Sequence, residues 1–129
     1  MKASTLLVCL IGAGLMGLVS AQKPGFTRVA LQSHELSVPG RMGVQARAEF
    51  DPGIFAGRHT HPGEELGYVL DGEFEIRVDG QEPKTVKAGD AFMVPANTIH
   101  DALNTGTTKG KILATYFVEK GKPVATFVN

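Results

Sequence analysis

The chain carries one cysteine, no tryptophan and no surplus charge of either sign, with 13 Lys and Arg against 13 Asp and Glu. Each shortage excludes something. Without an excess of Lys and Arg to neutralise phosphate, neither a nucleic-acid groove nor a polybasic membrane patch is expected, and the partner expected is a small molecule. Cys9 sits in an apolar N-terminal run, so a domain folding downstream of it has neither a disulfide nor a thiolate metal site and must be held by packing. Helical periodicity is missing too, since no window repeats its apolar residues convincingly at intervals of three and four. Turn formers are plentiful instead: 16 Gly and 7 Pro among 129 residues favour short strands joined by turns. A hydrophobic share of 43% with 20% charged residues places the chain in the ordinary globular range, at a length suited to one domain.

The first residues read as a targeting segment. Lys2 is its only charge, an apolar run extends from Leu6 to Val19, and Val19, Ser20 and Ala21 form a small-residue cleavage site before Gln22. An uncleaved anchor is the competing reading, because residues 3–22 carry no charge over a length that barely spans a bilayer. Gly12, Gly14 and Gly17 dilute that run and favour cleavage. The expectation is a secretory signal over residues 1–21 and a folded domain over residues 22–129, periplasmic or secreted, with no membrane contact after cleavage. No arginine pair precedes the run, so export of an unfolded chain is expected, with any metal loaded outside the cytoplasm.

Downstream, apolar and polar residues alternate with the period of a half-buried strand. Val44, Ala46, Ala48 and Phe50 separate cleanly from Gln45, Arg47 and Glu49, and Phe74, Ile76 and Val78 from Glu73, Glu75 and Arg77. The first set of each pair should point inward. Further runs fall at residues 66–70, 84–87, 91–94, 100–103 and 112–118, with turn signals at Asp71-Gly72, Asp79-Gly80 and Gly89-Asp90. Strands at this spacing indicate an all-β sandwich or barrel. Residues 22–25 read as a linker, and residues 121–129 as a last edge strand or a loose end.

Three of the four histidines fall in two short segments. On extended backbone His59 and His61 project to one face, so both imidazoles can converge on one point. Pro62-Gly63 then bends the chain and Glu65 opens the next strand with a carboxylate able to return there, while His100 arrives from a later hairpin as a fourth donor. Glu64 is a rival to Glu65, because the Pro62-Gly63 bend breaks the strand parity that would separate them. Three imidazoles and a carboxylate suit one divalent transition-metal ion, Fe, Mn, Ni, Cu or Zn, and suit Ca or Mg poorly.

These residues resemble the two motifs of the cupins. The first motif is matched by Gly53, His59, His61, Glu65 and Gly72 at every interval, and the second by Gly89, Pro95, His100 and Asn104. One position departs: Asn97 stands where the family usually has glycine, and Asn is the next residue most tolerant of positive φ. The resemblance implies a small antiparallel jelly-roll barrel over the mature chain, a metal ion held by His59, His61, Glu65 and His100, and a homodimer. It favours Glu65 over Glu64 through the interval to Gly72.

Other residues have plainer readings. His34 is a polar loop residue, and Asn104 caps a turn or orients a ligand histidine. Phe50, Phe55, Phe74, Ile76, Phe92, Met93 and Tyr116 form a packed core, part of which can line a ligand pocket. Two function classes follow from the resemblance. One is a metal-dependent enzyme, dioxygenase-like or isomerase-type, acting on a small organic molecule. The alternative is a non-catalytic module that binds a metabolite or the metal itself. No catalytic residue beyond the metal ligands is assigned, because fold and metal site alone do not choose between these classes.

Overall fold

A computed structural model describes residues 23–129, and the expected signal over residues 1–21 lies outside the described residues. Ten strands form two five-stranded antiparallel sheets. In chain order they are β1 (Phe26–Glu35), β2 (Arg41–Phe50), β3 (His59–Thr60), β4 (Gly63–Asp71), β5 (Glu73–Val78), β6 (Lys84–Lys87), β7 (Ala91–Val94), β8 (His100–Asn104), β9 (Gly110–Glu119) and β10 (Thr126–Phe127). One sheet runs β1-β2-β9-β4-β7 and the other β10-β3-β8-β5-β6. The expected all-β jelly roll is the architecture observed, and no helix occurs among the described residues.

The period-two pattern is read out directly as burial. Ala46, Ala48 and Phe50 on β2, and Phe74, Ile76 and Val78 on β5, face the interior, while strict alternation on β4 buries Glu65, Gly67 and Val69 and exposes Leu66, Tyr68 and Leu70. Phe26, Phe50 and Phe74 stack as a row with centroids 4.8 and 5.0 Å apart, closing one end of the barrel. A second cluster of Ala46, Ala114, Tyr116 and Val118 fills the other end.

Three positions differ from expectation. Met93 is 53% exposed and not part of the core, because four consecutive apolar residues must put two on each face and Met93 lies opposite outward-facing Leu66. Phe55 is only half-buried, covered by the Arg77 guanidinium 5.1 Å from its ring centre. His34 is an exposed residue on β1, opposite Gly43, and not in a loop. The strand β1 itself had no clear alternation to announce it. It is an edge strand, mostly exposed, and a register shift between Ala30 and Gln32 breaks its parity.

The turns behave as the motif residues require. Gly72 joins β4 to β5 at φ +88°, and a Cβ there would come 3.0 Å from the Gly110 Cα. Asn97 is the one non-glycine residue with positive φ among the described residues, at 55°, and its amide donates to the His61 carbonyl at 2.9 Å. The substituted position therefore keeps the left-handed backbone that the second motif needs.

Candidate metal centre

Four donors meet where the two sheets face each other. His59 and His100 are direct register partners on β3 and β8 of one sheet, while Glu65 comes from β4 of the other. His61 follows β3 by one residue and keeps the same facing as His59. The backbone of β4 can approach closely here because Gly63 has no side chain: a Cβ would overlap the Phe117 carbonyl at 1.8 Å. All four residues are buried, and one donor atom from each lies within 4.8 Å of the others. Of the two rival carboxylates, Glu65 points inward and Glu64 is exposed.

Hydrogen bonding settles which nitrogen each ring presents. His59 Nδ1 lies 2.5 Å from the Gly57 carbonyl, His61 Nδ1 2.5 Å from the Val124 carbonyl, and His100 Nδ1 2.9 Å from the Thr98 carbonyl. A carbonyl oxygen only accepts, so each Nδ1 carries the proton and each Nε2 of a neutral ring offers a lone pair. The Nε2 atoms of His61 and His100 both sit 3.0 Å from Glu65 Oε2, and His61 Nε2 is fully buried without a hydrogen bond. The His100 Nε2–H bond to Glu65 Oε2 offsets the carboxylate charge in this dry interior, and a bound cation would take that proton's place.

The charge states of His59 and Glu65 are those of metal donors, while His100 leans on its bond to Glu65. Burial, followed by the nearby His100 charge, pushes the His59 pKa down to about 3, so this ring is neutral at ordinary pH. Burial works to raise the Glu65 pKa, but the hydrogen bond with His100 and the nearby His61 ring outweigh it and hold the carboxyl well below its usual range. Burial also works to lower the His100 pKa, yet its bond to Glu65 raises it overall. An ionised carboxylate and a neutral His59 ring are forms that ligate metal, and a metal ion would displace the proton that His100 shares with Glu65.

The surroundings are mostly apolar. A cavity of about 30 Å³ adjoins the cluster, walled by His59, Glu65, His100, Phe50, Ile76 and Tyr116 among others. Its volume is roughly that of one water molecule. Tyr116 is 2% exposed, packs its ring 4.5 Å from that of His61, and has its hydroxyl pKa raised by burial. Asp101 lines the same cavity but is engaged structurally, its Oδ1 accepting from the Gly57 and Ala102 amides. Asn104 caps the turn after β8 and does not touch a histidine ring. Its amide nitrogen donates to the Phe50 and Thr108 carbonyls and its oxygen accepts from Gly106. Sequence reasoning gave no sign of Val124, whose carbonyl orients His61 from 63 residues away.

Comparison with known proteins agrees with this geometry. The family model described as the cupin domain matches residues 46–125. Germin-like protein subfamily 2 member 2 of Arabidopsis thaliana is 33% identical over 76 residues, which covers 55% of this chain and 35% of the relative. Oxalate oxidase GF-3.8 of Triticum aestivum is 29% identical over 90 residues, or 64% of this chain and 39% of that protein. The chain thus spans about a third to two fifths of the length of these relatives. Among solved structures, an oxalate oxidase in complex with the substrate analogue glycolate superposes with a TM-score of 0.67 at 24% identity, covering 84% of this chain and 57% of the other.

Proposed function

We propose, from the premise that this chain belongs to the cupin family, that His59, His61, Glu65 and His100 hold one divalent transition-metal ion on which a small organic molecule is bound or transformed. The observation that carries the proposal is the orphaned lone pair of His61 Nε2, buried and aimed at Glu65 with its ring already fixed through Nδ1. A bound ion of the Fe, Mn, Ni, Cu or Zn group would supply Lewis-acid character and open coordination positions for substrate. The chain's own part is to aim the three Nε2 atoms inward, hold Glu65 ionised, and exclude bulk water through Phe50, Ile76 and Tyr116.

The reaction class that fits best is a dioxygenase-like oxidation or an isomerisation of a small molecule. The named activity of the wheat relative, an oxalate oxidase, lends this reading support through a shared family and a short substrate. A second reading, non-catalytic binding of a metabolite or of the metal, is favoured by the 30 Å³ cavity and by the structural engagement of Asp101. We also infer export through the segment over residues 1–21, and a homodimer. The exposed apolar side chains Leu66, Tyr68, Met93 and Phe117 on the outer face of one sheet would supply the interface.

Elemental analysis of the protein purified from the periplasm tests the core of the proposal, with one transition-metal ion per chain as the expected result. A metal content near zero after supplementation with each candidate ion would refute it. Oxygen uptake by the loaded protein with dicarboxylate, diketone and thiol panels separates the two classes: turnover establishes the enzyme, and saturable binding without turnover establishes the binding module.

A further inference from the structure

A larger pocket lies on the opposite side of Tyr116 from the metal centre. Its volume is about 320 Å³, at the lower end of the range of roughly 300–1,000 Å³ typical of sites for small organic ligands. The floor is the inner surface of β1, β2 and β9, with Ala30, Val44, Ala46 and Tyr116, and the roof is the segment Lys122, Pro123, Val124 and Ala125. None of the four donors of the metal centre lines it.

Two features of its wall define a chemistry. The wall is apolar apart from Arg28, the Tyr116 hydroxyl and Lys122, and the ammonium of Lys122 is paired with Glu119 at 2.6 Å. Arg28 belongs to both this pocket and the small cavity beside the metal centre, and it interacts with the Tyr116 hydroxyl. That contact orients the guanidinium and makes the Arg28–Tyr116 pair the partition between the two spaces. The roof is tied down within its span and just past its end. Val124 accepts from His61 Nδ1, and Phe127 pairs with His59 on β3. A roof held over an apolar floor, with a guanidinium and a hydroxyl beside it, suits an amphipathic anion.

We propose that this pocket is a binding site for a small monocarboxylic acid, its hydrocarbon body on Ala30, Val44 and Ala46 and its carboxylate toward Arg28 and the Tyr116 hydroxyl. Arginine suits this role because its planar fork matches a carboxylate, and the flanking tyrosine hydroxyl supplies a further donor. The site is independent of the metal, since none of its residues is a metal donor.

Benzoate is the probe, with benzamide as its neutral counterpart, titrated into full-length mature protein and followed by amide NMR shifts and calorimetry. Benzoate should bind with a Kd of about 1 mM or tighter, with shifts centred on residues 122–125 and β2, and at least about tenfold better than benzamide. Binding should persist after chelation of metal, and in His100→Ala. Ala30→Phe, at an exposed position of the edge strand, should abolish it by filling the pocket. Arg28→Gln should weaken benzoate about tenfold while changing benzamide little. Equal affinity for both probes, binding unaffected by Ala30→Phe, or binding lost on chelation would each overturn the proposal. The last outcome would place the carboxylate on the metal and leave the metal centre itself intact as a reading, whereas failure to load metal leaves the benzoate result standing.

Discussion

His59, His61 and His100 each use Nδ1 for a backbone carbonyl, so the metal-facing nitrogen of each ring is decided by a bond made on its far side. Two predictions belong to this scale. His100→Ala should reduce metal affinity by about 100-fold or more, read by competition with a chromophoric chelator, whereas His34→Ala on the exposed strand β1 should leave it unchanged. Equal losses in the two variants would break the ligand assignment. Asn104→Ala should lower stability by roughly 3 kcal/mol in urea unfolding, because it strands the Phe50 and Thr108 carbonyls and the Gly106 amide in a buried turn. The same variant should still bind one metal ion per chain. Most of the residue-level site was legible beforehand: the two His-rich segments and their spacing named all four donors. Val124 was not, because a carbonyl donated from a distant segment leaves no mark in residue identity.

Elements bring the donors together through register. His59 pairs with His100 between β3 and β8, and Glu65 stands opposite Tyr116 between β4 and β9, so a shift of one residue in either pairing would turn a donor away from the centre. Gly63 secures the second pairing by letting β4 lie against the Phe117 carbonyl. Gly63→Ala should therefore disturb the sheet and lower both stability and metal content, measured by thermal melting and elemental analysis together. At the turn before β8, Asn97→Gly should change stability by less than about 1 kcal/mol, while Asn97→Val should cost roughly 1–2 kcal/mol, since a β-branched residue tolerates positive φ poorly. Strands with a buried face were readable from alternation. The edge strand β1 was not, since a strand exposed on most of its length has little apolar periodicity to display.

For the whole molecule, the His59, His61, Glu65 and His100 cluster bridges two sheets that are otherwise joined by packing and by bonds such as that from Asn104 to the Phe50 carbonyl, without a disulfide among the described residues. Saturating metal should raise the melting temperature by roughly 10 °C, since a ligand at 100 times its Kd adds about 2.7 kcal/mol to a domain of this size. A chelator should reverse the shift, and a melting temperature indifferent to both would contradict the proposed site. If the outer face bearing Leu66, Tyr68, Met93 and Phe117 forms the homodimer, Tyr68→Glu should convert the protein to a monomer in sedimentation experiments while leaving metal content intact.

Composition, alternation and motif spacing were enough by themselves to determine an all-β barrel and to single out His59, His61, Glu65 and His100, because strand periodicity and the short intervals between these donors are local properties of the chain. The tertiary structure alone decided what depends on distant segments meeting. It turned Met93 outward and His34 onto an edge strand, and bound His61 to Val124. It also made a second pocket behind Tyr116. Which face a side chain takes, and which carbonyl or cavity it finds there, follows from sheet pairing across the barrel, and that pairing is not written in any one stretch of residues.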